Sequence, residues 1–200
     1  MEAPKTPKGR KTRQRILDSS IALINERGFD NLTLADLCEG SGVAIGTFYH
    51  YFHSTQEILF EVVAMEGEEI RRYYGSLRDR SPLRRLRRVL EFQLDYFERK
   101  GKEVVGRIYR MEIDARYGSA RLIGVLPTMA IMRETIEAAQ GAGELRGDLD
   151  PERAAMLLMS LVFGYSFGWL SSGETRTLRE IAHGHLMAEL DRMRPEPERP

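Results

Sequence analysis

Three residues, Gly40-Ser41-Gly42, limit what this chain can fold into more than any other feature. They stop an amphipathic helix after about two turns, and "VAIGTFYHYF" follows at once as a second short helix. The helix before this pair starts at Thr12, with Ile16, Leu17, Ser20, Ile21, Leu23 and Ile24 on one broad face. Gly28 stands where a C-cap glycine belongs. Thr33 caps the helix that the glycines end, and Asp36, three residues on, completes a capping-box-like pair. Ser54 and Glu57 form an S-x-x-E box that restarts helix to about Tyr74.

Further helix starts follow downstream. Ser81-Pro82 opens a helix that Gly101 closes, and another runs from about Lys102 to Ala115. Pro127 opens one that reaches about Gln140, and "GAGELRGDLD" is a loop. Asp150-Pro151-Glu152 is an N-cap, a first-turn proline and a first-turn acid. The last helix runs from about Thr177 to Met193. No segment alternates as a strand does and no long repeat is evident, so the predicted class is all-α. The organisation read here is a flexible basic arm over residues 1–9, a three-helix domain over 10–60 and a larger helical domain over 61–200.

Two short helices around a glycine turn, docked on a longer one, describe a helix-turn-helix, whose second helix enters a DNA major groove about 12 Å wide. Gly46 would let a backbone approach, Thr47, Tyr49 and His50 offer hydrogen-bonding groups, and Ala44 and Ile45 suit thymine methyls. Leu34, Leu37, Val43, Phe48 and Phe52 are spaced to form the small core beneath. The same aromatic spacing also fits an ordinary core with no DNA-facing role.

Charge complicates this reading. Between Arg27 and Arg71 there is no lysine or arginine, and residues 16–70 carry ten acids against Arg27 alone. Residues 1–15 hold six cations, Lys11 among them, against Glu2. Attraction to phosphates must therefore come mostly from the leader, with helix N-termini and hydroxyls positioning the duplex. The other reading of the leader is a solvated tail.

Other chemistry is thin. Cys38 is the lone cysteine, which excludes an internal disulfide and suits tight packing. His183 and His185 lie two apart on a helix and cannot share a ligand face, so no metal or cofactor is expected. No nucleophile–base set, P-loop or dinucleotide glycine pattern occurs, so the chain reads as no enzyme. The apolar run "MLLMSLVFGYSFGWL" falls short of the ~20 residues of a membrane span, and the chain reads as soluble and cytoplasmic. A helix apolar nearly all round must be buried on most sides, which suggests a place between its own core and a partner subunit; the other reading is burial within a single chain.

The stretch "RQRILDSSIALINERGFDNLTLADLCEGSGVAIGTFYHYF" resembles the N-terminal domain of the TetR family of transcriptional regulators, above all in "RGFDNLT", "LADLCEGSGV" and "GTFYHYF". The likeness spans roughly residues 10–60; the rest is similar only in being helical and of suitable length. It implies that Thr33 caps a helix abutting a phosphate, that Ser41 and residues 44–47 face the groove, and that Tyr49 and His50 touch backbone or base edges. Where many members carry a lysine after the aromatic motif, this chain has Thr55, a neutral hydroxyl.

The resemblance also implies a homodimer on a pseudo-palindromic operator, joined through its last two helices, with Gly164, Phe167, Gly168, Trp169, Leu186 and Leu190 at the interface. It implies a repressor released by a small-molecule effector, with Phe92, Tyr96, Tyr109, Met111, Met129, Met132 and Phe163 as candidate pocket lining, most of which fit an ordinary core equally well. Two alternatives stand beside it: a helical dimeric interaction protein that has lost DNA binding, and a small-molecule carrier or enzyme.

Overall fold

The sequence's cap residues sit where helices begin. A computed structural model describes residues 6–113, 120–173 and 175–196. Among these residues there are nine α-helices, one short 3-10 turn (Phe29–Asn31) and no strand. In chain order the helices are α1 Pro7–Arg27, α2 Leu34–Ser41, α3 Ile45–Tyr51, α4 Glu57–Ser76, α5 Pro82–Lys100, α6 Lys102–Ile113, α7 Ala120–Gly141, α8 Pro151–Ser171 and α9 Leu178–Arg192. Asp150 caps α8 through the Arg153 N–H (3.0 Å), and Thr177 with Glu180 forms a full capping box on α9.

Three expectations need correction. The leader is helical from Pro7, not flexible to residue 9: the Thr6 hydroxyl accepts the Gly9 N–H at 3.0 Å, and Pro7 occupies the first helical position, where its missing N–H costs nothing. Residues 1–5, Lys5 among them, lie outside the described part. Pro127 does not open α7 but sits inside it. An interior proline loses its bond to the carbonyl four residues back and crowds that carbonyl, at a cost of about 3 kcal/mol that packing must offset. Thr128, Met132, Thr135, Ile136 and Ala139 then form a buried stripe that holds the helix in place. Finally, α8 is a 21-residue helix apolar enough to cross a membrane by length and composition. It packs against α7 and α9, and Ala155, Leu158, Met159, Val162, Ser166 and Trp169 are its buried face, so core formation accounts for that side.

The chain divides into two compact units. The first comprises Met1–Val63 with Lys100–Gly118, and the second Ala64–Arg99 with Ser119–Pro200. The core of the first contains Ile16, Leu17, Ile24, Leu37, Phe48, Phe52, Val104 and Val105. Asn25 fastens α1 to the start of α6: its side-chain amide donates to the Lys100 carbonyl at 2.7 Å. Gly101, at φ 84°, lies under that amide, and a Cβ there would collide with it. A glycine is therefore required twice over at this position, by backbone and by space.

The second unit buries Ile70, Leu86, Leu90, Leu94, Phe97, Met132, Leu158, Val162, Leu186 and Leu190. Tyr74 of α4 meets Thr135 of α7 hydroxyl to hydroxyl at 2.8 Å. The Gln93 amide donates to the buried Glu66 carboxylate at 2.7 Å.

Candidate nucleic-acid interface

The surface offered by α3 is built from beneath. Phe48 is fully buried and its ring lies 5.6 Å from that of Phe52, also fully buried. Burial of two such rings contributes roughly 2–3 kcal/mol each and fixes which side of α3 faces inward. Gly42, at φ 61°, supplies the left-handed residue that ends α2 and turns the chain into α3. Gly40 serves close packing instead. A Cβ there would come within 2.6 Å of Leu23, so α1 and α2 need its absence to approach each other.

At the start of α2 the box is reciprocal. The Thr33 hydroxyl accepts the Asp36 N–H (3.2 Å), and the Asp36 carboxylate accepts the Thr33 N–H (2.8 Å). The Thr33 hydroxyl and N–H, aided by Arg27, hold the Asp36 carboxyl below its ordinary value. The cap is thus complete above the usual carboxylate range and is lost as pH falls through that lowered value. At α4 the box is shifted by one residue: Ser54 accepts the Glu57 N–H at 3.3 Å, while Glu57 accepts from the N–H of His53.

The outward face of α3 carries Ile45 and Tyr49, each about half exposed although large and apolar or aromatic. Ala44, Gly46 and His50 are exposed beside them, and Thr47 and Thr55 are half-buried. Nothing lies within 4 Å of a Cβ built on Gly46. The protein's own interior therefore gives no reason for a glycine in this helix, where it costs about 1 kcal/mol relative to alanine.

Ser41 does not belong to this face. It is 3% exposed, and its hydroxyl donates to the Leu37 carbonyl at 2.6 Å. The side chain turns back onto its own helix, as serine in a last turn readily does.

The cations lie on α1. Lys8, Arg10, Lys11 and Arg15 are exposed, and Lys8, Lys11 and Arg15 line a shallow depression together with Thr12, Gln14, Asp18 and Ser19. Arg13 has a structural role that the sequence did not reveal. It pairs with Glu61 at 2.6 Å and stands 5.0 Å over the Phe52 ring. The exposed cations follow a helix spacing rather than a flexible chain.

In the second unit, Phe92 stacks on Tyr73 (4.9 Å) and Tyr96 (6.0 Å), and Phe97 meets Phe163 at 6.1 Å. Burial, with the Glu66 charge nearby, pushes the Tyr96 phenol well above its usual value, so it stays neutral. Met132 is buried and Met129 half-buried. Tyr109 belongs to the first unit, and the side chain of Met111 lies outside the described residues.

Of the residues expected at a dimer interface, Gly164, Phe167 and Gly168 are exposed on α8. Trp169, Leu186 and Leu190 are not: they are 6%, 0% and 0% exposed and form core within one chain. Met156 and Leu157, exposed at 57% and 44%, continue the outward stripe of α8 and were missed, because a helix apolar all round has no period to separate its faces. His183 bonds Glu91 at 3.1 Å and the His185 ring stacks on Tyr165, so the two histidines point to different neighbours.

Residues 16–62 match the family described as "Bacterial regulatory proteins, tetR family". The chain is 35% identical over 78 residues to the HTH-type transcriptional repressor KstR of Rhodococcus jostii, a match that spans 39% of this chain and 37% of that protein. It is 27% identical over 168 residues to the HTH-type transcriptional regulator TtgR of Pseudomonas putida, covering 80% of each. Its fold is similar to that of Thermus thermophilus FadR, a TetR-family repressor solved with lauroyl-CoA (TM-score 0.64, 21% identity, 94% and 98% of the two chains). The matched segment coincides with the helix-turn-helix, and over residues 16–62 the chain is similar to the tetR family of bacterial regulatory proteins.

Proposed function

We propose that this protein is a sequence-specific DNA-binding transcriptional regulator, a repressor released from its operator by a small molecule. The observation that carries the reading is the α3 face: Ile45, Gly46, Tyr49 and His50 are offered outward, with open space over a glycine that no neighbour requires. Ala44 and Thr47 adjoin it along α3, Thr33 and Thr55 stand ahead of α2 and α4, and Lys8, Arg10, Lys11 and Arg15 of α1 supply the cations that phosphates need. In this reading residues 10–60 read DNA, and residues 61–200 bind effector and partner.

The partner is a second copy. The stripe Met156, Leu157, Gly164, Phe167 and Gly168 leaves one face of α8 apolar and partly without side chains, a face suited to close helix approach in a two-fold pair. Two copies present two α3 helices, which calls for a pseudo-palindromic operator. The effector site is assigned to the aromatic and methionine cluster of the second unit, around Phe92, Met129, Met132 and Phe163. An apolar lining of this kind, and the lauroyl-CoA bound by the Thermus repressor, support an effector with a substantial apolar part. Effector binding lowers operator affinity only as far as it prefers the non-binding conformer. The protein acts in the cytoplasm and catalyses nothing.

Selection of duplexes from a random pool by the full-length protein tests the reading directly. A two-fold-related motif should emerge; a pool that remains random after several rounds excludes sequence-specific binding. A second result is expected from Gly46→Ala. The open space and the better helix former should raise stability by about 1 kcal/mol, a gain of roughly 2–4 °C in Tm for a chain of this size. The methyl group should meanwhile weaken the selected duplex tenfold or more. If the stabilised variant binds as the parent does, nothing approaches Gly46.

A further inference from the structure

Eight arginines, no lysine and a single acid, Asp79, occupy the segment from Arg71 to Arg88, a net charge of +7 in a chain that is neutral overall. Three of them are engaged within the second unit. Arg85 lies 4.1 Å over the Tyr74 ring, Arg87 pairs with Asp191, and Arg88 pairs with Glu91 at 3.2 Å. Arg71, Arg72, Arg78, Arg80 and Arg84 are exposed and make no ion pair among the described residues.

These five residues come from the last turns of α4, the connecting residues 77–81 and the first turn of α5. Two of the nearby acids are occupied, while Asp79 and Glu68 stay beside the cluster. The Glu144 carboxylate accepts the Leu83 N–H at 2.7 Å, and Glu69 pairs with Arg99 at 3.3 Å. Arg146 and Arg194 are exposed as well, but each stands beside an acid, Asp148 at 3.8 Å and Asp191 at 3.9 Å, so neither adds net charge to the cluster.

The chemistry of the cluster selects its ligand. A planar guanidinium presents a fork of donors that matches phosphate oxygens two at a time, which an ammonium cannot do. Positive charge here covers the width of two packed helices, about 8–10 Å, and roughly 8 Å along α4. That is too broad for one small anion to engage fully, whereas a duplex offers a charge about every 1.7 Å of its axis. The large apolar side chains exposed elsewhere, Ile45, Tyr49, Met156, Leu157 and Phe167, are all outside this segment, so it carries no wedge for a bilayer.

We propose that the arginine cluster at the α4–α5 turn is a second DNA-contacting surface that binds the phosphate backbone without regard to sequence. It takes from the proposed function only the supply of DNA; α3 and its sequence reading play no part in it.

The test compares the full-length parent with the triple variant Arg78→Ala, Arg80→Ala, Arg84→Ala on a duplex of random sequence, titrated with NaCl. All three side chains are exposed and only Arg84 is helical, where alanine is well tolerated, so an unchanged melting curve and gel-filtration volume are expected. Each lost phosphate contact lowers the log–log salt slope by about 0.9, so the variant's slope should be shallower by up to about 2.7. Between 50 and 200 mM NaCl the parent should then lose roughly 40-fold more affinity than the variant. Parallel titration lines overturn the proposal. So does a variant that keeps the parent's DNA slope but no longer sediments with phosphatidylglycerol vesicles, because the cluster would then serve a lipid surface. The Tyr49→Ala, His50→Ala chain separates the two readings. Losing the selected duplex while keeping the steep slope on random duplex is the expected pattern, and a shallow slope in that chain would also overturn an independent arginine surface.

Discussion

On the proposed reading, a chain carrying Tyr49→Ala and His50→Ala should fold as the parent does and hold its operator at least about 100-fold less tightly. Both side chains are exposed on α3, and neither contributes to the core that Phe48 and Phe52 form under the helix. Good base or backbone contacts contribute about 1–3 kcal/mol each, and a dimer loses every contact twice. The loss should be the same at low and moderate salt, because neither residue brings a permanent charge. Phe48→Ala makes the contrast. Emptying that fully buried site costs about 3–5 kcal/mol, so DNA binding fails there through unfolding, visible as a lowered Tm. Anisotropy titrations beside melting curves separate the two causes. Parental affinity in the double variant would falsify the reading of α3.

The second large effect lies far along the chain. Gly164→Glu with Phe167→Glu places two carboxylates on the exposed stripe of α8, and their doubles oppose them across a two-fold contact. Sedimentation should report the mass of one chain, 22.9 kDa, instead of two. Operator affinity should fall by about 10²–10⁴, the gain that tethering two binding modules ordinarily provides. Since neither position is buried, each chain should keep its helical content. A variant that still sediments as a pair moves the interface to another surface.

Where a structural signal is local, it could be read from the sequence. Thr33 with Asp36, Asp150 with Pro151, and Gly28 and Gly42 as helix ends each depend on residues within four positions of one another. The α3 face was legible for the same reason, since a seven-residue helix anchored by Phe48 within it and Phe52 just after it leaves few sides to choose from. Ser41 was misplaced because its hydroxyl has a partner on its own helix that competes with any outside one. Trp169 could not be told from Met156 and Leu157, because apolar residues surround α8 on every side, whereas Leu186 and Leu190 lie on α9 and are fully buried within the chain. The clamp of Asn25 on Lys100 spans 75 positions, and no pattern in the sequence announces it. Arg13 illustrates the limit for charge. Composition counts it among the leader's cations, yet Glu61 and the Phe52 ring already hold it.

Cys38 is the only sulfhydryl in the chain and is buried in α2 among the helices that support α3. Burial pushes its thiol pKa up, so the closed protein holds little thiolate and shields what there is from reagent. Chemical modification must therefore wait until this part of the molecule opens. Its rate in excess reagent serves as a built-in stopwatch for the breathing of the reading head, free of any signal from the helices that follow.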